Sequence, residues 1–161
     1  MATCSTVEVT GNIVEIVTRG PQGPLGDAAS VTERNFGQTD HGFSVFDLVY
    51  FSETNQQWQL GIADPTHASA DDGADSSDIL GMISAVPNDD VFTLLTGKGF
   101  YDNVGAWAAG DIGKKIYLST TTPGGSQETR PTFPSFVKPI YQIISTDTIF
   151  LDLDTSVQGA P

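Results

Sequence analysis

Residues 20–28 read Gly-Pro-Gln-Gly-Pro-Leu-Gly-Asp-Ala, which is three consecutive Gly-X-Y triplets. A collagen triple helix requires glycine at every third position, because no larger residue fits where three chains meet on the axis. One chain cannot satisfy this packing, so the triplets favour three parallel copies with Gly20, Gly23 and Gly26 at the axis. Three triplets are too few to hold a triple helix alone, and flanking segments would have to bring the chains together. The alternative is a Pro/Gly linker that matches the period by coincidence.

The composition is that of an acidic globular chain. Of the 161 residues, 39% are hydrophobic, which is enough for one domain with its own core. Twenty Asp and Glu residues oppose seven Lys and Arg residues, for a formal net charge of -13. Nucleic-acid binding needs cations that neutralise phosphates, so no nucleic-acid partner is expected. The charge suits a soluble particle surface that does not adhere to DNA or to anionic cell envelopes.

Three features bear on the compartment. Cys4 is the only cysteine, which excludes an internal disulfide and a thiolate metal cluster. The N-terminal residues lack a basic stretch followed by an apolar run, so no signal peptide is predicted. No stretch approaches the roughly 20 apolar residues of a membrane span, so no membrane partner is predicted. We expect a protein that is made in a cytoplasm and stays soluble.

The chain divides into an arm (1–19), a connector (20–28) and a body (29–161). In the arm, residues 6–18 are rich in β-branched residues and predict one or two strands interrupted at Gly11. The body has short strand signals, frequent turns and only a weak helix signal. It predicts an all-β fold, either a compact β-barrel or a sandwich.

Three hairpins and one further strand are predicted in the body. The strands are 43–51 with 58–63, 79–86 with 91–96, 136–145 with 148–154, and 115–119 alone. Pro139 lies within one of them and predicts an edge or bulge position, because proline cannot donate to a strand ladder. The acidic residues 64–78 and the Thr/Pro/Gly-rich residues 120–134 are expected to form surface loops.

The order of these segments resembles a β-rich module of tailed-phage virion proteins. That module recurs in tail fibres, head fibres and capsid decoration proteins, and the resemblance covers roughly residues 38–154. The segments that carry it are, in order, 41–50 (HGFSVFDLVY) followed by Trp58, 79–86 (ILGMISAV), 91–94 (VFTL), 110–119 (GDIGKKIYLS), 137–140 (VKPI) and 149–153 (IFLDL).

The resemblance implies a trimeric structural protein of a phage particle without catalytic residues. A short collagen-like segment after a β-rich arm is also similar to phage fibre and head-decoration proteins. The module usually has Gly-Asp after its first aromatic residue, whereas this chain has Phe46-Asp47. That departure puts a tight turn at this point in doubt.

The acidic loop contains carboxylates of the kind that bind calcium. Calcium takes six to eight oxygen ligands, and glycine helps the chain to fold around the ion. The spacing lacks the alternating ligand order and the closing Glu of an EF-hand, so a solvated loop without a metal is predicted. The carboxylates concerned are Asp64, Asp71, Asp72, Asp75 and Asp78.

Catalytic residues are not predicted. Asp40-His41 with Ser44 supplies the residue types of a triad, but no nucleophile elbow supports one, and His41 is interpreted as a turn histidine. His67 is interpreted as a solvent-facing residue of the acidic loop. The glutamates that could hydrolyse glycosides fall in arms, turns or loops, outside the apolar setting that acid catalysis requires. These are Glu8, Glu15, Glu33, Glu53 and Glu128.

Phe100, Tyr101 and Trp107 lie in a Gly-rich connection between predicted strands. We favour a position in the core, at one end of the barrel. Alternatively, such aromatic residues stack on sugars or anchor a partner surface.

The arm has an alternating apolar face but no obvious partner in the body. An unpaired strand is a liability unless it adds to another sheet, so strand addition to a capsid or tail subunit is predicted. Pairing of three copies around a threefold axis is the alternative. The residues expected to dock are Val7, Val9, Ile13, Ile16 and Val17.

The sequence therefore predicts a homotrimeric capsid decoration protein on the virion surface, without enzymatic activity and without a cofactor. Its partners would be the major capsid protein or another virion protein, bound by three weak arm contacts acting together. The alternative is a tail-fibre or receptor-binding module that recognises host glycans, with Tyr101 or Trp107 exposed.

Overall fold

The computed structural model describes residues 31–64, 76–102 and 107–153, and the backbone of short strands at 6–9, 12–15 and 158–159. The described part of the chain is all-β, as predicted, with two five-stranded antiparallel sheets and a single turn of 3₁₀ helix at Ala109–Asp111. The strands are β1 (Thr6–Val9), β2 (Asn12–Glu15), β3 (Thr32–Gly37), β4 (Leu48–Ser52), β5 (Gln57–Leu60), β6 (Gly81–Asn88), β7 (Val91–Thr96), β8 (Lys98–Asp102), β9 (Lys115–Leu118), β10 (Ser126–Gln127), β11 (Phe136–Val137), β12 (Pro139–Ile143), β13 (Thr148–Asp152) and β14 (Gln158–Gly159).

The strands are arranged in two large and two small sheets. The first sheet has the order β3-β7-β6-β4-β5, and the second sheet has the order β10-β9-β12-β13-β8. β1 pairs with β2, and β11 pairs with β14. The division into arm, connector and body remains a prediction, because residues 16–30 lie outside the described residues.

All three predicted hairpins form, namely β4–β5, β6–β7 and β12–β13. The first begins at Leu48 rather than at residue 43, because residues 44–47 form a tight turn. The Asp47 N–H donates to the Ser44 carbonyl over 3.1 Å, and the Ser44 N–H donates to Asp47 Oδ2 over 2.7 Å. Phe46 has a φ of 74° within this turn. The turn that the missing glycine put in doubt is therefore present, with Phe46 in the left-handed region.

Pro139 lies at a bulge, as predicted. The register between β12 and β9 shifts between Pro139 and Tyr141. β12 is an internal strand with β9 and β13 on either side. The bulge therefore accommodates a residue without an N–H donor inside the sheet.

The main core lies between the two large sheets. Leu48, Met82 and Leu95 of the first sheet pack against buried aliphatic side chains of the second. Each of these side chains contributes about 1.5–3 kcal/mol through burial. The second-sheet residues are Ile116, Leu118, Ile140, Ile143, Ile149 and Leu151.

A second core covers the opposite face of the first sheet. Phe92 is fully buried there among Phe43, Val49, Ile83 and Leu94. The rings of Phe36 on β3 and Trp58 on β5 are only 4.9 Å apart. These strands are the two edges of the sheet, and in a flat sheet four strand spacings would separate them by about 19 Å. The first sheet therefore curls until its edges meet around its own apolar side chains.

The side chain of Gln38 joins the two edges. Its Nε2 donates to the Trp58 carbonyl over 3.1 Å, and its Oε1 accepts from the Trp58 N–H over 2.7 Å. One amide thus satisfies both backbone groups of an edge residue, as a neighbouring strand would.

The two large sheets are also joined through backbone contacts. A single residue, Gly97 with a φ of 91°, connects β7 to β8 and so leads the chain from one sheet to the other. Gly124 accepts from the Leu48 N–H over 2.9 Å and donates to the Gly61 carbonyl over 2.8 Å. Gly124 is buried, so part of the predicted surface loop 120–134 is a structural link.

We expect Gln38→Ala to lower the free energy of unfolding by about 1–3 kcal/mol, because two backbone groups of Trp58 lose their partner. Urea denaturation measures this change. Gln57→Ala is the matched control, since Gln57 is exposed on the same edge strand, and it should change stability by less than about 0.5 kcal/mol. Equal effects of the two substitutions would contradict the role of Gln38.

We expect Gly81→Ala to destabilise the protein by about 1–3 kcal/mol through overpacking. A Cβ at Gly81 would overlap the isobutyl group of Leu94. Gly110 has open space around its Cα, so Gly110→Ala should leave stability unchanged or raise it by up to about 1 kcal/mol. Thermal unfolding of both variants tests this difference, and a stable Gly81→Ala protein would show that Leu94 can move aside.

Candidate functional site

The residues predicted for attachment and trimerisation fall mostly outside the described residues. β1 contains Val7 and Val9, and β2 contains Ile13, so each belongs to a hairpin rather than to one unpaired strand. Ile16 and Val17 lie outside the described residues. The same is true of the connector glycines Gly20, Gly23 and Gly26. Their roles remain predictions.

The three predicted aromatic residues separate into two groups. Phe100 and Tyr101 lie on β8 rather than in a connection, and neighbouring residues of a strand point to opposite faces. Tyr101 and Trp107 are half-buried against the main core, in line with the core position that we favoured. Phe100 is 66% exposed, so the core prediction is wrong for this residue. Its ring contacts Phe150, with centroids 5.1 Å apart.

His41 has a structural role in a turn. Its Nδ1 accepts from the Phe43 N–H over 2.9 Å, and its Nε2 lies 3.1 Å from the Asn88 carbonyl. Because Nδ1 is the acceptor, we assign the proton to Nε2, which donates to Asn88. Both ring nitrogens are therefore held by backbone, and neither activates Ser44.

The acidic loop lies largely outside the described residues, including Asp71, Asp72 and Asp75. Across residues 31–64, 76–102 and 107–153, no three His, Cys, Asp or Glu side chains are grouped so that they could hold a metal ion. No helix in these ranges is long and apolar enough to cross a membrane.

The outer face of the second sheet, which points away from the main core, is the most distinctive described surface. Strand register aligns Phe100 with Phe150, Phe150 with Gln142, and Gln142 with Lys115. Directly paired residues share a face, so these four side chains form a row across four strands. Phe150 and Phe100 give the row an apolar end, and Lys115 gives it a cationic end.

A shallow aromatic groove of about 210 Å³ lies along this row, lined by Lys115, Pro139, Ile140, Tyr141, Gln142, Phe150 and Asp152. Lys98 borders it and binds Asp152, with Nζ 2.9 Å from Oδ2. The same Nζ lies 5.8 Å from the centroid of the Phe150 ring. The groove therefore combines an aromatic surface with charged and amide groups.

A second depression of about 570 Å³, which we call the cationic hollow, adjoins the groove and shares Lys115 with it. It is lined by Gly113, Lys114, Lys115, Tyr117, Glu128, Thr129 and Arg130. Three cations and one carboxylate, Glu128, thus line the hollow in an otherwise acidic chain.

The cations of the hollow differ in their partners. Lys114 Nζ is 2.6 Å from Asp111 Oδ1 and 2.8 Å from Glu128 Oε2. The hydrogen bond from Lys114 lowers the pKa of Asp111, and the bonds to Asp111 and Glu128 raise the pKa of Lys114. Within the described residues, Lys115 and Arg130 form no ion pair.

Neither protein-family models, nor curated proteins, nor solved structures give a match to this chain.

Sequence reasoning missed Lys115, Arg130 and Phe150 as surface residues. One sequence feature did indicate a cationic surface, because Lys114-Lys115 is the only pair of adjacent cations among the seven Lys and Arg residues of the chain. Arg130 joins them only through the pairing of β9 with β10.

Tyr141 lines the groove and provides a test in alkaline solution. Burial raises the pKa of its phenol above the usual value of about 10, more strongly than the contact with Ser126 lowers it. The folded state therefore keeps its proton where the unfolded chain ionises. The stability that the folded protein owes to the protonated Tyr141 phenol is complete below pH 10, and it is lost as the pH rises through the folded-state pKa. The loss of melting temperature above pH 10 should be smaller in Tyr141→Phe, and an unchanged pH slope would contradict the assignment.

Proposed function

We propose that this chain is a structural virion protein, a homotrimeric decoration protein that binds and stabilises the capsid of a tailed phage. The observation that carries the proposal is the order of the segments. A β hairpin, three Gly-X-Y triplets and an all-β body follow one another, and the segments that resemble the phage module coincide with β4–β13 of the body. The body is then a two-sheet sandwich whose first sheet is curled like a barrel.

The mechanism is multivalent binding rather than chemistry. Three parallel chains held at the connector would present three arms on one side and three bodies on the other. Each arm adds backbone hydrogen bonds to a partner sheet, and three weak contacts act together as one strong one. The partner is the major capsid protein or another virion protein, and binding across neighbouring subunits stabilises the shell by mass action.

Glycan recognition through Tyr101 or Trp107 has less support as an alternative. Both side chains are half-buried against the main core, so only part of each ring is accessible to a sugar. The number of copies of the chain per particle also separates the two functions. A decoration protein would be present in many copies over the capsid, whereas a tail fibre would be present in few.

We expect the purified chain to have a solution mass near three times 17.1 kDa by light scattering. Valine at Gly20, Gly23 and Gly26 together should lower the mass to that of a monomer, because the side chains cannot fit at the axis. Valine at Gln22, Leu25 and Ala28 is the matched control, since these third positions of the triplets point outwards. A monomeric parent chain, or equal masses for the two variants, would contradict the triple-helix connector.

The location is tested separately, on particles purified from a culture that produces the chain. Antibodies against the body should label many positions over the capsid surface. Labelling confined to the tail would favour the fibre alternative, and absence of labelling would exclude a virion role.

A further inference from the structure

We propose that the outer face of the second sheet binds an acidic polysaccharide. In this arrangement a sugar ring lies in the aromatic groove and an acidic group lies in the cationic hollow. The proposal does not depend on a virion location or on a trimer, because one described body contains the complete site.

The apolar part of the site is an exposed aromatic pair. Phe100 is 66% exposed beside Phe150, and Pro139 lines the groove on the other side of Phe150. Contiguous exposed apolar patches with a polar rim mark binding surfaces in soluble proteins. Aromatic ring faces carry negative charge density and attract the polarised C–H face of a sugar ring. The pair therefore suits a ligand that is flat and apolar on one side.

The charged part of the site runs against the net charge of the chain. The formal net charge is -13, yet Lys114, Lys115 and Arg130 line the cationic hollow, and the carboxylates beside them are Glu128 in the lining and Asp111 next to Lys114. Lys114 already has two carboxylate partners, so Lys115 and Arg130 are the cations left for a ligand. An anion is repelled by the molecule as a whole and attracted at this concave surface, where the field is concentrated.

One ligand can occupy both halves at once, because Lys115 lines both. The groove offers the amide of Gln142, whose Nε2 is held by the Gly113 carbonyl over 3.1 Å, and the hollow offers the hydroxyls of Tyr117 and Thr129. Such groups pair with sugar hydroxyls. A polymer of acidic sugars has an apolar ring face, hydroxyls and a carboxylate on each residue. A run of Glu residues, as in poly-L-glutamate, would satisfy the cations but would supply neither the ring face nor the hydroxyls.

The test is binding of the full chain to polygalacturonate, measured by affinity electrophoresis in 150 mM NaCl. Dextran is the neutral comparison, and poly-L-glutamate is the acidic peptide. We expect retardation by polygalacturonate and little by the other two polymers. The salt screens interactions that depend on long-range charge alone.

Two pairs of variants assign the binding to the site. Lys115→Gln with Arg130→Gln should weaken binding about tenfold, because charge-assisted hydrogen bonds are lost. Phe100→Ala should weaken it about threefold to tenfold. The controls are Arg34→Gln, an exposed cation on β3 of the first sheet, and Phe133→Ala, a loop phenylalanine that is 75% exposed. Neither control should change the affinity.

Three results would overturn the proposal. One is the absence of binding to polygalacturonate. Another is equal binding of poly-L-glutamate, which would assign the face to an acidic protein partner. The third is an equal loss of affinity in the site variants and in their controls, which would mean that the cations act without a defined site. All substituted residues are partly or fully exposed, and thermal unfolding confirms that each variant is folded.

Discussion

The curl of the first sheet is the constraint on which the rest of the body depends. Two hydrogen bonds between Gln38 and Trp58 close the sheet around Phe92, while its other face packs against the second sheet. The first sheet is thus covered on both sides. The outer face of the second sheet then remains as the broad described surface with both apolar and charged side chains exposed. Closure of one sheet therefore leaves the outer face of the other as the face that is open to a partner.

The sequence predicts the parts of the fold that local chemistry determines. The hairpins β4–β5, β6–β7 and β12–β13 have apolar runs on both sides of a short polar turn, and the bulge at Pro139 follows from the missing N–H. β3 was missed because its sequence, TERNFG, is polar and its partner β7 lies more than fifty residues away. Gln38 gave no signal, since its function requires that the two edges of a sheet meet.

The site was less predictable, because strand register decides which face a side chain occupies. A shift of one residue in β8 would turn Phe100 inwards and Tyr101 outwards, and the sequence alone could not fix this register. Net charge also conceals local charge. A total of -13 argues against anionic partners for the whole molecule, whereas the pairing of β9 with β10 and β12 brings three of the seven cations into one hollow.

The proposed trimer and the proposed polysaccharide site are linked through avidity. A shallow groove beside an open hollow gives few contacts, so one body would hold a saccharide weakly and release it quickly. A polysaccharide repeats the same group along its length, and three bodies joined at a connector would bind several repeats of one chain. The second and third contacts are then intramolecular, and avidity exceeds the affinity of a single site. A monomer would retain the specificity of the site but lose this gain, so the oligomeric state would set the strength of binding while the second sheet would set its chemistry.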